Sequence, residues 1–203
     1  FSSQRTEFVT PEGVWVTQVA DSAEALRNFR LRILPKMGYT FSSEAKTNGM
    51  VVTATRTGAA TGALAIAFDG AEVADLTGCT IAGTAPGGTV TLYIAPSSSY
   101  KPGVASPADD AWDRASAART SGYPNLRQAT IAWWNAFNNR HQVTLPDSET
   151  ELARWYARSL YYHGVCFGNT TIPPGIYGNS SWPAGGAICP EHDLVFSQLA
   201  ALY

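Results

Sequence analysis

Residues 47–95 read TNGMVVTATRTGAATGALAIAFDGAEVADLTGCTIAGTAPGGTVTLYIA. Three β-rich runs stand out: Met50 to Arg56, Ala63 to Phe68 and Thr89 to Ala95. Between them fall Thr47-Asn48-Gly49, Gly58, Asp69-Gly70 and Pro86-Gly87-Gly88, residues that supply turn geometry. Asp69-Gly70 is a good hairpin-type turn signal, and a hairpin is expected there. Short strands separated by turns at regular spacing predict an antiparallel β-sandwich.

The same pattern extends toward the N-terminus. Val14, Val16 and Gln18 oppose Trp15, Thr17 and Val19, while Phe29, Leu31 and Ile33 alternate with Arg30 and Arg32. Period-two alternation predicts strands with one buried and one wet face. Beyond Ala95 the character changes. Pro96, Ser97 to Ser99, Pro102, Gly103 and Pro107 read as a linker, and five of the six tryptophans lie from Trp112 onward.

Helical patterns follow. Asp109 and Asp110 open a short one that ends near Arg119, acids first and a base last, as the helix dipole favours. Leu126, Thr130, Trp133 and Phe137 form a stripe at helical spacing, with Pro124 in the first turn. Trp133 lies in that stripe and reads as core, whereas Trp134 sits about 100° round the helix. Ser148 and Glu151 have capping-box spacing ahead of Leu152, Trp155, Tyr156, Ser159, Leu160 and His163, and Gly164 supplies a stop. Pro190, Glu191 and Asp193 open a fourth pattern that runs to Tyr203 without a stop signal, which predicts that the chain is part of a longer one. The expected organisation is α+β: a β-sandwich over 1–105, a linker with a short helix over 106–123, and helical hairpins over 124–203.

Composition removes several classes of function. Of 203 residues, 45% are hydrophobic and 15% charged, with a formal net charge of −2. That balance gives no electrostatic footprint for nucleic acid. No apolar run approaches the roughly 18 residues that span a bilayer, so no membrane partner is expected. A Gly-x-Ser-x-Gly elbow, a His-Glu-x-x-His helix and a phosphate-binding Gly-rich loop with Lys-Ser/Thr are absent from the sequence. No pair among Cys79, Cys166 and Cys189 has Cys-x-x-Cys spacing, so neither a metal nor a cofactor is expected. Cys166 and Cys189 bracket one loop and are expected to bridge, leaving Cys79 free. Asn169-Thr170-Thr171 and Asn179-Ser180-Ser181 are glycosylation sequons, which fit an exported protein.

Chemistry is concentrated in residues 167–190, too long a stretch without periodicity to be a simple connection. Tyr177 and Trp182, held between Pro173-Pro174-Gly175, Gly178 and Gly185-Gly186, offer flat apolar faces with polar edges, suited to the C–H faces and hydroxyls of a sugar. The competing reading folds both rings back onto the helices. His192-Asp193 places an imidazole beside a carboxylate, either lining a cleft or capping a helix. His163 reads as a core histidine and His141 as a solvated one.

The stretch Trp133 to Tyr203 resembles the opening of the α/α barrel in six-hairpin glycosidases of the kind in glycoside hydrolase families 65 and 95. Trp134 and Phe137 meet a W-x-x-F/W pattern, and Ile172 to Gly178 with Trp182 match a loop of the "lPpgl-G-W" kind. The order, β first and helices second, is also similar. Leu194 and Phe196 stand where the fucosidase-like members carry an Asn/Asp-x-Asn pair, while His192, Asp193 and Phe196 echo a sugar-contacting motif of the family 65 type. The resemblance implies hydrolysis of a glycosidic bond by inversion, with two carboxyl groups about 6.5–9.5 Å apart. It implies that Tyr177, Trp182, His192 and Asp193 are substrate-binding walls. The catalytic acid and base would come from the remainder of the same polypeptide, which would complete the barrel. The alternative is a non-catalytic carbohydrate-binding or structural module.

Overall fold

The computed structural model describes residues 3–21, 26–33, 38–101, 103–140 and 143–167. They fall in two compact units, 1–131 and 132–203. The first holds nine strands and a helix. The strands are β1 (Ser3–Val9), β2 (Trp15–Asp21), β3 (Leu26–Arg32), β4 (Thr40–Lys46), β5 (Gly49–Thr55), β6 (Gly62–Asp69), β7 (Glu72–Asp75), β8 (Thr80–Ala85) and β9 (Thr89–Ser98). Helices α1 (Pro107–Ser121), α2 (Tyr123–Asn139) and α3 (Thr150–Phe167) follow.

The chain is thus mixed α+β, with an antiparallel β-rich N-terminal part and three described helices. A six-stranded sheet runs β1-β2-β9-β6-β5-β4 and a three-stranded sheet runs β3-β8-β7, every pair antiparallel. The central strands β5, β6 and β9 of the larger sheet are buried on both sides, which explains their near-continuous apolar runs. Met50, Val52, Ile66, Phe68, Val90, Leu92 and Ile94 from its strands share one core with Cys79, Ile81 and Ala85 of the smaller sheet and its approaches. Phe29, Leu31 and Ile33 pack against this core, while Arg30 and Arg32 remain exposed.

The opposite face carries smaller residues. Val16, Val51, Ala63, Ala65, Ala67, Tyr93 and Ala95 meet Ala111, Ala115 and Ala118 of α1. Alanines spaced by three and four residues form a single helical face, and methyl-sized side chains on both partners allow close approach. At Gly49 the helix and sheet leave no room for a side chain: a methyl there would lie 2.6 Å from Trp112 Cζ3 and inside contact with the Ile66 carbonyl.

Turns put the strands in their layers. Asp69-Gly70 does not close a hairpin, contrary to expectation, because β6 lies in the larger sheet and β7 in the smaller. The turn instead carries the chain across the core, with Gly70 at φ 76° packed on the Thr89 carbonyl. Pro86-Gly87-Gly88 returns the chain from β8 to β9 in the larger sheet. True hairpins form at Asn48, in the left-handed region at φ 58°, and at Thr10–Val14, where Thr10 Oγ1 accepts from the Val14 N–H at 3.2 Å.

Two polar clusters fasten α1. Ser106 caps it, its Oγ accepting from the Asp109 N–H at 3.3 Å. Asp110 accepts from Ser97 Oγ at 2.7 Å and Lys101 Nζ at 2.8 Å, and Arg114 donates to the carbonyls of Pro96 and Glu12. At the other end Arg119 Nε donates to the Phe68 carbonyl and to Asp69 Oδ1, at 2.9 and 2.6 Å. Tyr93 OH donates to Asp69 Oδ2 at 3.2 Å.

Candidate functional site

The four residues read from sequence as substrate-binding, Tyr177, Trp182, His192 and Asp193, lie outside the described residues. So do the fourth helical pattern, His141 and Cys189, and with Cys189 the expected bridge to Cys166. Cys79 is a buried free thiol.

What the second unit does present is an aromatic groove. Trp134 and Asn138, four residues apart on α2, line one wall. Tyr156, Ala157, Leu160 and Tyr161 form one face of α3 and line the other. Val143 and Thr144, in the connection between the helices, complete the lining of an open groove of about 530 Å³. The Trp134 and Tyr161 rings stack with centroids 5.4 Å apart and 25° between planes. Behind them Trp133 stacks on Phe137 at 5.4 Å and 9°, and Trp134 meets Phe137 edge-on at 5.7 Å. Trp133 is therefore a half-buried support, and Trp134 is the groove residue.

The start of α3 departs from the capping-box expectation. The helix begins at Thr150, with the Glu149 carbonyl accepting the Ala153 N–H at 2.9 Å. Glu151 pairs forward with Arg154 at 2.7 Å rather than back toward Ser148. Gly164 does not stop the helix, which continues to Phe167. Leu152 and Trp155 from the expected apolar face are exposed, and Tyr156 and Leu160 from that face turn into the groove. The Arg158 guanidinium lies 5.7 Å from the Trp155 ring centroid.

Sequence reasoning missed Asn138, Val143, Thr144 and Tyr161. The spacing of Trp134 with Asn138, and of Tyr156 with Leu160 and Tyr161, is the signal that places them on facing stripes.

Among the described residues, the groove is lined by no Asp, Glu, His, Lys or Arg. The shifted groups belong to the first unit. Burial, and then the Asp69 charge and hydrogen bond, push the Tyr93 phenol up to about 12, which keeps it protonated and structural. Burial would raise the Asp110 carboxyl, but hydrogen bonds from Lys101 and Ser97 and the charges of Lys101 and Arg114 hold it below its ordinary value. Among the described residues no group of three or more His, Cys, Asp or Glu side chains is gathered for a metal, and no helix is long and apolar enough to cross a membrane. No protein-family model matches the sequence, and no curated protein is significantly similar to it.

Proposed function

We propose that this chain is the β-rich and first helical part of a glycoside hydrolase of the six-hairpin kind, acting with inversion. Tyr177, Trp182, His192 and Asp193 supply walls of its sugar subsites. The carboxyl pair that performs hydrolysis comes from further helices of the same polypeptide, which complete an α/α barrel. The observation that carries the reading is the loop motif Ile172 to Gly178 with Trp182, following a β-rich unit and helices in that order. Its sequons fit an exported enzyme.

Asp193 is the residue to test. A carboxylate that accepts from two sugar hydroxyls makes a charge-assisted contact of about 1.5–3 kcal/mol. In the intact protein Asp193→Ala is expected to lower kcat/KM on the cognate glycoside about tenfold or more, with the thermal midpoint nearly unchanged. A helix-capping aspartate gives the opposite result, a lowered midpoint with unchanged kinetics.

A second reading, a non-catalytic carbohydrate-binding module, is favoured by one feature. Among the described residues, the groove of the second unit is lined by aromatic, aliphatic and neutral polar side chains. Glycan binding without turnover by the intact protein distinguishes this reading from the first.

A further inference from the structure

We draw no further inference here: the strongest candidate, the open aromatic groove that Trp134, Tyr156 and Tyr161 line between α2 and α3, carries nothing because nothing in the structure shows what covers it.

Discussion

Gly49 is a position where one added atom has a large consequence. It opens β5 beneath the Trp112 ring, and neither neighbour has room for a Cβ. Gly49→Ala must displace either the indole or the β6 backbone, a form of overpacking that costs about 1–3 kcal/mol. Urea denaturation should show that loss. Gly87→Ala, at an exposed glycine with nothing within 4 Å of the added methyl, should change stability by about 0.5 kcal/mol or less. Asp110 gives the residue-scale prediction for pH. Its folded carboxyl is held below the ordinary value, so ionisation stabilises the fold above the unfolded pKa near 3.9. That contribution disappears as pH falls through the lower, folded pKa. The stability difference between the native protein and Asp110→Asn should be present at about pH 7 and shrink progressively as the protein is acidified below the unfolded pKa. A difference that is constant across the range would mean the carboxylate's charge is not what fastens α1.

At the scale of elements, the strands were legible because alternation and turn residues are local properties. Phe29, Leu31 and Ile33 face the core as their spacing implies, and the Val14 and Val16 stripe is buried. What the residues did not disclose was which layer each strand joins. Asp69-Gly70 has the chemistry of a hairpin turn, yet strand partners are chosen by the hydrophobic faces that must meet, not by the turn alone. Nor did the sequence announce that α1 covers the second face of the larger sheet, because its buried stripe is alanine, a residue equally at home on a surface. The stripe makes its own prediction. Ala115 is fully buried against a floor of alanines. Ala115→Leu should destabilise by about 1–3 kcal/mol through overpacking. Ile66→Ala, on the other face of the same sheet, should cost about 2–5 kcal/mol through a cavity. Equilibrium denaturation of the two variants tests whether both cores are packed to interior density. The candidate site was less legible than the strands. Trp134 was set apart from the Trp133 stripe without being given a role, and Tyr161 and Thr144 gain meaning only when two helix faces and the segment between them converge.

At the scale of the whole molecule, both hydrophobic cores end before residue 131. Every residue of the two clusters, including Tyr123 and Leu126 at the start of α2, belongs to the first compact unit. The sequence placed the edge of the β domain at 105, where composition changes. A boundary there would strip α1 from the sheet and bare Val51, Ala63, Ala65, Ala67, Tyr93 and Ala95 to water. It would also leave Asp69 without Arg119, and Lys101 and Ser97 without Asp110. Each buried apolar square ångström returned to solvent costs about 25 cal/mol, so losing a whole helix-covered face exceeds the few kcal/mol of net stability a small domain commands. A polypeptide of residues 1–131 should therefore unfold in one cooperative transition, whereas 1–105 should aggregate or bind a hydrophobic dye without a sharp melt. Circular dichroism melts of the two polypeptides decide the point. Cooperative unfolding of 1–105 would show that the two sheets sustain each other without the helix, and that α1 is an attachment rather than the third layer of the fold.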